Sequence, residues 1–101
     1  MKNVQFAGNN CEIKKSKYST NGNLALMLFD KETGQKVSNV TINTLQRMDE
    51  DVAAVKDYSE NEGMLEAITE AGLIKNDLGS IQVGFTMCNI VRFDLSEVDE
   101  I

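Results

Sequence analysis

The chain has 101 residues, which is enough for one domain, and 42% hydrophobic with 26% charged residues is typical of a globular fold rather than a disordered one. Its formal net charge of −6 is uneven, since residues 51–101 carry eleven acidic and three basic side chains, whereas residues 1–50 carry five and seven. The acidic half repels phosphates and attracts basic protein surfaces, so we expect a basic protein partner and no direct nucleic-acid binding.

The sequence has few of the residue types that most often act in catalysis or bind transition metals. Histidine is absent, which removes the commonest general base and the commonest transition-metal ligand. The two cysteines, Cys11 and Cys88, form no metal-binding motif, and we expect two free, buried thiols. The longest apolar run, residues 24–29, is too short to span a membrane, and no signal peptide is evident. We therefore expect a cytoplasmic protein that is not an enzyme and has no cofactor or metal.

Alternating apolar residues predict strands in the first half of the chain, at residues 2–6, 11–18, 23–30, 36–43 and 52–56. Asn21 and Gly22 tolerate positive φ and predict a tight turn between the second and third strands. Gly34 is the expected left-handed residue of the next hairpin loop.

One α-helix is predicted at about residues 60–71. Ser59 followed by Glu62 matches a capping box at its start, and Gly72 with Leu73 matches a left-handed C-terminal cap. The apolar residues between these ends recur at helical spacing and predict a buried stripe. The members of that stripe are Met64, Leu65, Ile68 and Ala71.

A turn at residues 76–80 and two strands at 81–85 and 87–94 complete the prediction. The fold class is α+β, a mostly antiparallel sheet of six to seven strands with one α-helix packed on one face. A single domain spans residues 1–94, and the acidic residues 95–101 are expected to form a frayed tail.

Acidic residues dominate the predicted helix. Glu62, Glu66 and Glu70 recur every four residues, and Asp57 and Glu60 precede them. A charged face opposite an apolar stripe is normal for a solvated helix. Like charges at this spacing repel one another, however, and the helix has no Lys or Arg to offset them. The same face therefore also fits a docking surface for a basic partner.

The predicted partner-binding set adds two uncharged residues near the helix start. Tyr58 either covers the helix or is an exposed anchor, since aromatic residues beside charges are common at interfaces. A cation site is disfavoured because carboxylates one turn apart do not converge on one point. The full set is Asp57, Tyr58, Glu60, Asn61, Glu62, Glu66 and Glu70.

Lys14, Lys15 and Lys17 form a small basic patch on the second strand. An edge strand that carries charges against aggregation explains this patch better than nucleic-acid binding does.

The segment Lys56-Asp57-Tyr58-Ser59-Glu60-Asn61-Glu62-Gly63-Met64-Leu65, followed by Glu70-Ala71-Gly72, resembles a family of small bacterial proteins encoded on conjugative elements, plasmids and prophages. The pattern of strands and turns on either side is also similar, so the resemblance covers most of the chain. Within that group the chain looks like the anti-CRISPR proteins that inhibit type II RNA-guided nucleases. The family assigns no chemistry to any residue.

The resemblance implies a stoichiometric inhibitor that blocks the loading of such a nuclease with guide RNA or DNA. One alternative is an accessory protein of a mobile element that binds another element-encoded or host protein. A second alternative, from a different class, is a small-molecule-binding module of a counter-defence system.

Overall fold

The structure, a computed structural model, describes residues 2–101, which form nine strands and one short α-helix. The strands are β1 (Asn3–Phe6), β2 (Asn9–Lys17), β3 (Leu24–Asp30), β4 (Lys36–Asn39), β5 (Thr41–Ile42), β6 (Val52–Val55), β7 (Ile74–Val83), β8 (Thr86–Phe93) and β9 (Asp99–Glu100). The helix is α1 (Met64–Glu70). The α+β class and the mostly antiparallel pairing are confirmed, whereas the strands are more numerous than predicted and form two sheets rather than one sheet with the helix on its face.

The first sheet has the order β1-β2-β3-β4, and all of these pairs are antiparallel. β9 adds a short parallel pair to β2, with Lys14 opposite Asp99 and Lys15 opposite Glu100. Together β1 and β9 cover the side of β2 that faces away from β3. β2 is therefore an internal strand over most of its length, and the prediction that its lysines protect a sheet edge is wrong for Lys14 and Lys15, whereas Lys17 lies beyond the pairing with β9.

The second sheet has the order β5-β6-β8-β7, again antiparallel. The chain crosses from the first sheet to this one at Val40. Its N–H donates to the carbonyl oxygen of Leu26 in β3 (2.8 Å), and its own carbonyl oxygen accepts from Lys56 (2.9 Å). This crossing divides the single strand predicted at 36–43 into β4 and β5.

One hydrophobic core contains residues from both sheets and from α1. Leu26 and Leu28 of β3, Val55 of β6, Val91 of β8 and Ile68 of α1 are almost completely buried in it. The helix thus fills the same core as the strands, and its N-terminal residue Met64 is also fully buried. Among the strands of the first sheet, α1 lies against β1.

α1 is shorter than predicted and begins differently. Ser59–Asn61 form a separate 3₁₀ turn, and Gly63, at φ = 96°, stands between that turn and α1. Ser59 makes no side-chain cap hydrogen bond, so the predicted capping box is wrong. The predicted C-terminal cap is confirmed, because Gly72 has φ = 75° and Leu73 N–H donates to the carbonyl oxygen of Ile68 (3.1 Å).

β7 runs through the predicted turn at 76–80. Two register shifts, between Ile74 and Asn76 and between Asp77 and Ser80, accommodate the polar residues without ending the strand. The reversal comes later, where Val83 pairs with Thr86 across the two residues Gly84 and Phe85. Gly84 has φ = 62°, as expected for a two-residue hairpin loop with glycine at its first position.

The C-terminal residues are not frayed. Val98 is 5% exposed and belongs to the core, and Leu95 packs against it. Ile101 N–H donates to the carbonyl oxygen of Lys15 (3.0 Å), which continues the pairing of β9. The tail therefore packs on the first sheet, because Leu95 and Val98 reach the core and its backbone pairs with β2.

The two cysteines, Cys11 and Cys88, are free and buried, as predicted. Burial raises the pKa of both thiols, and Asp30 contributes to the rise at Cys11. Among residues 2–101 there is no helix of the length and apolar character needed to cross a membrane.

Candidate docking surface

The segment that joins β6 to α1 positions the predicted partner-binding residues. β6 is buried along all four of its residues, and the chain becomes exposed directly after it. The 3₁₀ turn and the left-handed Gly63 then reverse the chain into α1. Five of the seven predicted residues lie in this connection and the other two, Glu66 and Glu70, lie in α1, and they have different roles.

Asp57 stabilises the connection itself. Its Oδ1 accepts hydrogen bonds from the backbone N–H groups of Gly63 (2.9 Å) and Leu65 (3.2 Å). These are among the N–H groups that the first turn of a helix leaves without a partner. Asp57 thus has the capping role that the sequence assigned to Ser59. It lies six positions before Gly63, the N-cap residue of α1.

Asn61 is completely buried, so it takes no part in an exposed surface, contrary to its prediction as a partner-binding residue. Its Nδ2 donates to the carbonyl oxygens of Asn39 and Lys56, and its Oδ1 accepts from the Ser38 hydroxyl. The side chain joins the end of β4 to the residues before α1. A buried amide with every partner satisfied is a structural group.

Lys56 partly neutralises Glu60, one of the acidic residues before α1. Its Nζ lies 2.7 Å from Oε1 of Glu60, and this hydrogen bond is the main reason that the pKa of Glu60 is lowered. The same ammonium lies 5.9 Å from the centre of the Tyr58 ring. Tyr58 is also half-buried. Its environment is therefore intermediate between the two predicted roles, a cover over the helix and an exposed anchor.

Glu62, Glu66 and Glu70 are the exposed acidic residues that remain. Within residues 2–101, none of them has a Lys or Arg nitrogen within 4.0 Å. Only Glu66 and Glu70 belong to α1, since Glu62 precedes it. We call these three residues the acidic ridge.

The acidic ridge separates two shallow depressions. One, of about 220 Å³, lies between α1 and the end of β1, where Gln5 and Ala7 form the opposite wall. The other lies beside Leu65 and Thr69, with Asp57 at its end. Neither depression is enclosed, so this surface offers charge and shape to a large partner rather than a cavity to a small one.

The acidic side chains of this surface are spread out rather than grouped. Among residues 2–101, no three His, Cys, Asp or Glu side chains are grouped closely enough to hold a metal ion. The glutamates of the ridge follow one another along the surface instead of converging on one point, and converging oxygens are what a hard cation needs.

Sequence reasoning missed the exposed apolar side chains of the β7–β8 hairpin. Phe85 is fully exposed at the hairpin tip, and Met87 and Leu78 are 62% and 47% exposed. Gly84 was the sequence feature that could have located the hairpin tip, because a glycine between two apolar strands is typical of a two-residue hairpin loop. Leu45, in the loop before β6, is also fully exposed.

Comparison with known proteins adds no relative. No protein-family model, no curated protein and no solved structure matches this chain.

Proposed function

We propose that the protein is a stoichiometric, non-catalytic inhibitor that binds a basic protein surface through the acidic ridge. The observation that carries the proposal is the set of three exposed glutamates, Glu62, Glu66 and Glu70, none of which is paired with a basic side chain in residues 2–101. Repulsion between neighbouring glutamates opposes folding slightly. A partner that supplies positive charges removes that repulsion on binding.

The ordered backbone beneath the acidic ridge also favours binding through this surface. Asp57 and Asn61 fix the connection before α1 by hydrogen bonds, so the ridge is presented on an ordered backbone. An ordered surface loses little conformational entropy when it binds. Charge complementarity then supplies specificity and a fast association rate.

The proposed partner is a type II RNA-guided nuclease, following the resemblance of residues 56–72 to proteins of mobile elements. Such nucleases hold the guide–target duplex in a positively charged channel. A row of carboxylates can occupy part of that channel in place of phosphates. Inhibition then arises because RNA or DNA and the inhibitor compete for the same basic groups.

A DNA-cleavage assay with purified type II nucleases tests this function. The protein is added at increasing molar ratio before the guide RNA, after the guide RNA, or after the target DNA. We expect cleavage to fall to a plateau near one inhibitor per nuclease, and the protein to lose potency when it is added after the nucleic acid it competes with. Full cleavage by every nuclease tested, at a tenfold excess of the protein, would refute the proposal.

A further inference from the structure

The three lysines of β2 lie on different sides of the first sheet. Lys14 is on the outer side, where its Nζ lies 5.8 Å from the centre of the Phe29 ring. Successive strand residues point to opposite faces, so Lys15 and Lys17 share the inner face with Cys11 and Ile13. Cys11 and Ile13 are completely buried, and the two lysines therefore continue a core-facing row.

Core-facing positions of this strand would normally be apolar. Lys15 is opposite Leu26 and Lys17 is opposite Leu24, and both leucines are buried. Edge protection does not explain Lys15, because β9 pairs with β2 at that residue, whereas Lys17 is exposed and lies beyond this pairing. The surroundings of the two ammonium groups favour a further use for both.

Both lysines line a cleft of about 540 Å³ between β2 and the C-terminal residues. Leu24, Leu95 and Ile101 give the cleft an apolar wall, and Glu50 and Glu100 add carboxylates. The volume is within the range of small-molecule sites, which are mostly apolar with a few polar groups.

The charges in the cleft favour one anionic group. Glu100 is opposite Lys15 in the register of β9, whereas Lys17 lies beyond the paired residues. Within residues 2–101, no carboxylate oxygen lies within 4.0 Å of either ammonium. Lys17 therefore has its charge available for a ligand, and the two glutamates disfavour a second anion.

We propose that this cleft binds a small molecule with an apolar body and a single anionic group, either a carboxylate or a phosphate. The anionic group contacts Lys17 and Lys15, and the apolar body packs against Leu24 and Leu95. The site is independent of the acidic ridge, and its test does not depend on any protein partner.

The test is a titration of the full chain, followed by the ¹H and ¹⁵N NMR shifts of its backbone amides. Octanoate and octyl phosphate are the probes, which also distinguishes the two head groups. Octyltrimethylammonium provides the same apolar body with a positive charge. We expect saturable shifts at Leu24, Leu95 and Ile101 with at least one anionic probe, and weaker binding of the cation.

Variants then assign the charge recognition. The double substitution Lys15→Gln/Lys17→Gln should weaken binding of the anionic probe about tenfold or more, as expected for lost charge-assisted hydrogen bonds. Lys14→Gln, on the opposite face of the same strand, should leave the affinity unchanged. If the double variant does not fold, the single variant Lys17→Gln replaces it in the binding measurement, because that side chain is exposed and its substitution should not disturb folding.

Three results would overturn the proposal. The first is the absence of a saturable shift with either anionic probe at millimolar concentration. The second is equal affinity for octyltrimethylammonium, which would show that the charge is not recognised. The third is an equal loss of affinity in the Lys14→Gln protein, which would place the binding elsewhere.

Discussion

The carboxylate of Asp57 accepts a hydrogen bond from the backbone N–H of Gly63 across 2.9 Å. Gly63 lies six positions after Asp57, and it has the left-handed conformation at φ = 96° that brings the helix start back to the carboxylate. The helix is therefore capped from outside its own first turn.

Removal of this cap should destabilise the protein. Asp57→Ala leaves two backbone N–H groups without their acceptor and should lower the free energy of unfolding by about 1–2 kcal/mol. Ser59→Ala should change it by less than about 0.5 kcal/mol, because Ser59 makes no cap hydrogen bond. Urea denaturation measures both values. A loss at Ser59 equal to the loss at Asp57 would restore the capping box that the sequence predicts.

Asn61 should be more important for folding than for binding. Asn61→Ala removes the hydrogen bonds to the carbonyl oxygens of Asn39 and Lys56 and from the Ser38 hydroxyl, at a completely buried position, so we expect a loss of about 2–3 kcal/mol in the free energy of unfolding. Asn76→Ala, at an exposed position of β7, is the control and should have little effect. Similar midpoints for the two variants in urea would show that Asn61 is not a structural residue.

The pair Lys56–Glu60 should be visible in a titration. The hydrogen bond from Lys56 lowers the pKa of Glu60, and ¹³C NMR of the carboxyl carbons should show that this pKa rises in Lys56→Gln. A lowered pKa in the folded state stabilises the protein at a pH above the pKa of the unfolded chain. That contribution should disappear as the pH falls through the lower, folded pKa. An unchanged Glu60 titration in the variant would mean that the pair does not form in solution.

The sequence predicted those features that depend on neighbouring residues. Gly72 and Leu73 end the helix as expected, and Gly34 forms the expected left-handed turn residue, because each needs only a few adjacent residues. The capping box failed because the left-handed Gly63 ends the 3₁₀ turn before α1 begins, and local propensity does not specify that break.

Long-range pairing accounts for most of the remaining differences. The division of the predicted strand at Val40 depends on hydrogen bonds to Leu26 and Lys56, which lie far away in the sequence. The parallel pairing of β9 with β2 brings together residues separated by most of the chain. Leu95 and Val98 were the available signal, since apolar residues spaced along an acidic tail indicate a contact with the core.

The sequence predicted the exposed glutamates of the candidate surface, but not which of its polar residues stabilise the fold instead of binding a partner. Glu62, Glu66 and Glu70 are exposed, as their helical spacing suggested. Asp57 and Asn61 have the same polar character in the sequence, and only the backbone groups around them show that they stabilise the fold. Polar residues near a helix start serve as caps and as binding groups, and the sequence pattern does not separate these uses.

The most direct test of the account is the affinity of a charge-reversed protein for a nuclease that the wild type inhibits. Glu66→Lys/Glu70→Lys changes the charge of the acidic ridge by four units and keeps strong helix formers in place. Glu32→Lys/Glu50→Lys makes the same change at exposed residues outside α1 and controls for net charge. Titration calorimetry should show binding about tenfold weaker or more for the first variant, and a wild-type affinity that falls as salt increases. If both variants fold and bind with the same affinity, the acidic ridge is only a solvated face, and the proposal that the protein binds through it is wrong.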